Sequence, residues 1–273
     1  LLTVSVSLLL LALLEGGQAW AWTSPQSLAA FGVGSAAFVA FVLVERRAPE
    51  PVLPLWVLRR RLLRATALIA MGVGVVLMGV TTYVPTYLEA LLGVTPLVSG
   101  LALAALTLGW PIAATVSGRI YLRIGFRSTA LIGIGVLATA ATALAVTSRT
   151  ASVLVVAACC FAMGLGLGLV ASPSLIAAQS SVGWGERGVV TGANMFSRAI
   201  GSAVGVAVLG ALVNGLMRGA DATSAPERFG DAATAVFTAV AVVAAALVLA
   251  ALAMPRHDRP DVSAAPGGDD PTR

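Results

Sequence analysis

Charge, histidine, cysteine and lysine are all scarce in this chain, and each scarcity closes off a class of function. Only 11% of its 273 residues are charged, under half the roughly 25% of soluble domains. Hydrophobic residues make up 58%, and mean hydropathy is +0.95. A soluble enzyme, a disordered protein and a disulfide scaffold are excluded by that balance. The two cysteines, Cys159 and Cys160, adjoin in an apolar run, which provides neither a disulfide framework nor spaced metal ligands. The one histidine, His257, lies in a polar tail, and acids at membrane depth are almost absent. No catalytic residue, metal site or bound cofactor is expected. Lysine does not occur, so the formal charge of +5 rests on 17 arginines. These stand between apolar runs, the pattern of membrane topology and not of nucleic-acid binding. The lipid bilayer is the expected partner.

A helix crossing the roughly 30 Å hydrocarbon layer needs about 20 apolar residues. Such runs occur at 26–44, 65–88, 97–117, 128–147, 151–172, 195–216 and 233–254. An eighth, Leu1–Leu14, would reach only about 21 Å as a helix. It begins without Met or a basic stretch, unlike a signal peptide, and reads as a helix cut in two. The chain is therefore expected to be a fragment.

Arginine sets the orientation. Arg46, Arg47, Arg59, Arg60, Arg61, Arg64, Arg119, Arg123, Arg127, Arg187, Arg198 and the tail's Arg256, Arg259 and Arg273 fall on one set of alternating loops. Only Arg149, Arg218 and Arg228 fall on the other. This positive-inside bias places the first set and the C-terminus in the cytoplasm. Trp20 and Trp22 suit the outer interface. The domain reading is then two central helices at 1–44, the first truncated, and a basic linker at 45–64. A six-helix block follows at 65–254, and a disordered, Pro- and Asp-containing tail at 255–273. Pro49, Pro51 and Pro54 disfavour helix at the start of the linker, while 55–64 could lie flat on the inner leaflet. Six helices also permit two inverted sets of three, the organisation of many transporters.

The most informative stretch is Gly118-Arg-Ile-Tyr-Leu-Arg-Ile-Gly-Phe-Arg127, expected on a cytoplasmic loop. Gly118 can let helices approach closely, and Gly125 can take a positive φ. Arg123 and Arg127 can meet helix C-termini, carboxylates or lipid phosphates; an ordinary positive-inside loop would look the same. Gly118, Arg123, Gly125 and Arg127 resemble the loop motif Gly-x-x-x-Asp-Arg-x-Gly-Arg-Arg of the major facilitator superfamily. Leu122 and Phe126 replace its Asp and one Arg, as in the degenerate second-half copy.

Two further stretches narrow the resemblance. Residues 83–100, with Tyr87-Leu-Glu, Leu92-Gly and Thr95-Pro-Leu-Val-Ser-Gly100, are similar to the segment joining the seventh and eighth core helices of EmrB/QacA-type drug exporters. Asn194-Met-Phe-Ser-Arg-Ala-Ile-Gly201 and Gly205 resemble those exporters' Asn-x-x-Arg-x-x-Gly-x-x-x-Gly helix start. The Glu45…Pro54-Leu linker fits the one after their extra central helices. The resemblance implies an all-α, polytopic membrane protein: the C-terminal six-helix domain plus two preceding helices of a fourteen-helix drug:proton antiporter. The implied activity is export of small hydrophobic compounds from the cell across the plasma membrane. Protons would drive it, and a missing N-terminal six-helix domain would carry the coupling acids.

On that alignment Tyr83, Tyr87, Trp110, Asn194 and Arg198 are the substrate-cavity candidates. Tyr83, Tyr87 and Trp110 offer aromatic faces for large apolar, often cationic substrates, or equally for packing. Asn194 is a cavity amide or a cap. Arg198 snorkels to headgroups or serves a cavity or gate. Glu89 reads as a solvated carboxylate at the outer interface. Glycines at Gly164, Gly166, Gly168, Gly201 and Gly205 read as close packing, and Pro173 as a place to bend. Transport of a nutrient or organic anion, and a non-transporting scaffold or partner subunit, remain as alternatives.

Overall fold

Hydrocarbon offers backbone groups no water, so a spanning segment must bond its own N–H and C=O groups. The apolar runs accordingly fold as helices. The computed structural model describes residues 1–15, 20–21, 23–45, 55–148, 152–217 and 225–255. It contains α1 (Leu2–Glu15), α2 (Pro25–Glu45), α3 (Leu55–Arg59), α4 (Arg61–Leu92), α5 (Pro96–Ile124), α6 (Phe126–Thr147), α7 (Val153–Ser180), α8 (Arg187–Met217) and α9 (Ala225–Leu252). Among the described residues, seven helices are long and apolar enough to cross a membrane, and α1 is shorter. The expected all-α polytopic class is the observed one.

The helices outrun the apolar windows that announce them. α4 begins at Arg61, α5 continues to Ile124 and α8 starts at Arg187, because a helix does not stop where hydrophobicity does. α2 runs through Glu45, and α3 does not lie free: Val57 is buried with Leu63, Ala178, Val182, Val190 and Ala193. Residues 46–54, the tail 256–273 with His257, and Trp22, Arg149 and Arg218 lie outside the described residues.

The α4–α5 turn shows what the quoted residues of that segment do. Gly93 closes α4 in the left-handed region (φ 62°, ψ 22°), where glycine carries no Cβ penalty. Thr95 takes the extended N-cap conformation, and Pro96 occupies the first helical position, where its missing N–H costs nothing. Buried Ser99 donates its hydroxyl to Glu89 Oε1 at 2.6 Å, so Glu89 ties the two helices together and is more than a solvated carboxylate.

Six helices form one packed unit with an internal exchange relation. α5 packs chiefly on α7 and α4 on α8; α6 lies against α7 and α9 against α4; α6 and α9 meet each other. Exchanging α4, α5 and α6 for α7, α8 and α9 converts each of these pairings into another of the same set. The two trios are therefore arranged alike, as inverted repeats require. The α1–α2 pair stands beside this unit, touching it through α1 and α8, and Ser5 donates to Gly34 O at 2.8 Å within the pair.

Glycine sets the two closest crossings. A Cβ on Gly201 or Gly74 would fall within 3 Å of the facing backbone, at Met71 O and Arg198 O respectively. The α5–α7 crossing repeats this: Gly164 meets Leu106 O, Gly168 meets Trp110 O, and Gly109 meets Phe161 O. Without a hydrophobic drive between helices in lipid, such backbone approach supplies the dispersion contacts that hold them. Cys160 is a buried member of the main core, consistent with its use as a small apolar residue.

Candidate functional site

Chain direction alternates through the bundle, so the starts of α4, α6 and α8 share one end with the ends of α5, α7 and α9. That end is basic. Arg60 donates from Nη1 to Ser181 O at 3.1 Å, just past the end of α7, and its guanidinium stands 5.3 Å from the Trp56 ring. Arg187 stacks 4.8 Å from the Trp184 ring.

The stretch 118–127 lies at this end, but most of it is not a loop. α5 continues through Gly118 and Arg123 to Ile124, and Gly125 alone separates it from α6. Gly125 adopts φ 86°, ψ 160°, a region essentially reserved for glycine. Arg127 donates from Nη1 to Met254 O at 3.3 Å, where a cation offsets the negative end of α9. Arg123 is exposed. Among the described residues no other helix approaches Gly118, where an added Cβ would meet only Tyr121 Oη at 4.0 Å. Its expected close approach is not observed within the described residues. Gly125→Ala is expected to destabilise the bundle by about 1–3 kcal/mol through backbone strain alone. An unchanged thermal midpoint in detergent would refute that.

Toward the middle of the bundle, α4, α5, α7 and α8 open a cleft of 110 Å³. Trp110, at the midpoint of the 29-residue α5, supplies an aromatic wall. Ser172 and Ser174 flank Pro173 on α7, and Asn194, Met195 and Arg198 come from α8. Asn194 and Arg198 are four residues apart, so they share a helix face. Arg198 lies about 17 Å along α8 from its start, and about 6 Å short of its middle, at 1.5 Å per residue.

The polar groups of this cleft are unequally satisfied. Asn194 spends its amide N–H on Thr66 O at 3.3 Å, leaving Oδ1 as an acceptor. Ser174 donates to Ala171 O at 3.0 Å. Among the described residues Arg198 reaches only the thioether of Met195, 2.6 Å from Nη2, although a guanidinium carries five donors and keeps its charge. None of the described carboxylates lines the cleft.

Three of the five cavity candidates, Trp110, Asn194 and Arg198, thus converge. Tyr83 and Tyr87 do not line this cleft. Tyr83 is half-buried, with its hydroxyl facing Gly210 of α8. Tyr87 is sealed in the core at 1% exposure. Its hydroxyl donates to Ser148 O, and its ring meets Phe237 edge-on with centroids 5.5 Å apart. Ser172, Ser174 and Met195 are cleft residues that sequence reading passes over; a Ser-Pro-Ser inside an apolar run is the signal that could have found the serines. A larger crevice of 520 Å³ lies between α6 and α9, lined by Thr142, Ser148, Thr234 and Thr238 among apolar residues. It belongs to the opposite half of the bundle, opens beside exposed Val146 and Val242, and contains no residue with an ionisable side chain.

Residues 1–206 match the sequence profile described as the Major Facilitator Superfamily. The chain belongs to that superfamily. That superfamily consists of membrane transporters and not enzymes, in keeping with the seven described helices long and apolar enough to cross a membrane. It is 32% identical over 211 residues to the multidrug transporter protein MdtP of Bacillus subtilis (strain 168), covering 77% of this chain and 39% of that one. It is 32% identical over 202 residues to a tetracycline resistance determinant of Streptomyces rimosus, covering 73% and 58%. Multidrug resistance protein 3 of Bacillus subtilis (strain 168) is 27% identical over 241 residues, covering 84% and 47%. The chain spans about half the length of these curated relatives.

Proposed function

We propose that this chain is the C-terminal part of a fourteen-helix, EmrB/QacA-like exporter that moves small, largely apolar compounds out through the plasma membrane. The carrying observation is the cleft itself, built from one pair of helices in each of two similarly arranged trios. A site at such a junction can be exposed to either side as the trios and a facing domain rock, which is alternating access. The named activities of the multidrug and tetracycline-resistance relatives support the same substrate class.

In this reading the basic end is cytoplasmic, as the arginine asymmetry requires, and so is the C-terminus. A six-helix domain preceding this chain contributes the facing cavity wall and the acids for proton antiport. This chain contributes Trp110, Asn194 and Arg198 to the other wall, and Gly118, Arg123, Gly125 and Arg127 to a cytoplasmic latch.

Everted vesicles carrying the longer protein test the proposal. Acidifying their interior is expected to drive uptake of a fluorescent drug, and an uncoupler is expected to abolish it. Vesicles with only this chain are expected to take up none. Uptake by this chain alone overturns the half-transporter assignment. Full-length protein that moves no drug, with or without a proton gradient, overturns export and favours a scaffold.

A further inference from the structure

We infer that the cleft between α4, α5, α7 and α8 receives the acidic end of its substrate: a carboxylate or phenolate set against Arg198, with an attached ring on Trp110. The inference rests on the reading of this cleft as part of a substrate wall, and it names the substrate class.

Charge decides the matter. Arg198 is half-buried near the middle of a spanning helix, and its one polar contact among the described residues is a weak thioether acceptor. A permanently charged guanidinium at that depth is costly unless an anion or strong acceptor answers it. The described carboxylates cannot do so from within the cleft. Glu89 is committed to Ser99 at the far end of α4. Glu186 precedes α8, about 18 Å along the axis from Arg198. Glu15 and Asp231 belong to α1 and α9, and neither lines the cleft.

The remaining lining fits an acid better than a cation. An ammonium over Trp110 would gain a cation–π contact. In 110 Å³ it would also lie close to a fixed like charge, in surroundings that screen poorly. A carboxylate there meets the planar donor fork of Arg198, which suits two-pronged pairing. Ser172 offers a further hydroxyl on the same lining. Aromatic faces alone suggest a cationic substrate; with Arg198 placed beside Trp110, they select an aromatic or amphipathic acid.

The purified chain in nanodiscs tests this with three probes of one shape: benzoate, benzamide and benzylammonium. Ligand-observed saturation-transfer NMR at neutral pH, with empty nanodiscs subtracted, ranks their binding. Benzoate is expected to bind about ten-fold or more tightly than benzamide, the usual scale of one charge-assisted hydrogen bond, with benzylammonium weakest. Arg198→Gln is expected to erase the gap between acid and amide, and Arg198→Lys to keep most of it. Trp110→Leu is expected to weaken both alike. Equal binding of the three probes, or benzylammonium first, overturns the inference. So does an acid preference that survives Arg198→Gln, since another group would then hold the acid. The ranking on the unaltered chain decides even where Arg198→Gln fails to insert. The export reading fails separately: a longer protein that transports nothing leaves an acid-first ranking standing, and one that exports dyes without that ranking removes this inference alone.

Discussion

Gly201→Val is expected to abolish folding of the bundle, while Gly192→Val on the same helix is expected to leave it intact. The contrast isolates geometry from helix propensity, since both substitutions place the same side chain in α8. At Gly201 even a Cβ would collide with the carbonyl of Met71, and the obstacle is backbone. A Cβ at Gly192 would meet no other part of the described residues within 4 Å. Overpacking a well-packed site costs about 1–3 kcal/mol when side chains can give way. Here α4 itself would have to move, opening the crossing that Gly74 and Gly205 also depend on, so the loss should exceed about 3 kcal/mol. Thermal unfolding of both variants in detergent, followed by size-exclusion monodispersity, checks it. Similar midpoints for the two variants would mean that this crossing does not hold the bundle together.

Tyr87→Ala is expected to cost about 3–5 kcal/mol, the range for removing a large buried aromatic side chain. Tyr87→Phe is expected to cost about 1 kcal/mol, the worth of one hydrogen bond. The ring is fully enclosed against Phe237, so the larger change leaves a cavity. The smaller one removes the donor to Ser148 O, whose residue also shares a 2.8 Å hydroxyl contact with Thr234. That cluster joins α4, α6 and α9 at one end of the bundle. A substrate-contacting tyrosine behaves oppositely, changing binding more than stability. Calorimetric midpoints alongside the benzoate ranking separate the two roles, and a Tyr87→Phe variant of unaltered stability but lost probe binding would return Tyr87 to the cavity.

Tyr87 and Trp110 show where sequence reading stops. Helix existence was legible, because 18 or more apolar residues in a row have few structural options. Which face of a helix looks inward was not. In a soluble bundle the buried stripe is apolar and the other side polar; in lipid both sides are apolar. Leu68 is half-exposed, while its neighbour Ile69 is fully buried. Tyr87 and Trp110 were therefore equally good cavity residues on paper, and only packing places one in the core and the other on a cleft. Asn194 and Arg198 fared better because polarity is rare in such a run and four-residue spacing fixes a shared face. Gly201 and Gly205 announced a close crossing in the same way, but not its partner. Arg127 was legible as a group suited to a helix C-terminus; that the helix is α9 is a long-range fact.

The same crossing bears on the order of events during synthesis. Gly74 O accepts from the Ser202 hydroxyl across 128 residues of chain. At about 5–20 residues per second, a ribosome needs roughly 6–26 s to make that stretch. For that time α4 has crossed into the bilayer without the helix that fits its glycine face. Lipid tails or an insertion chaperone must occupy the face meanwhile and then be displaced when α8 arrives. A nascent chain arrested before residue 187 should therefore hold α4 in a lipid-accessible state, and one arrested after 217 should not.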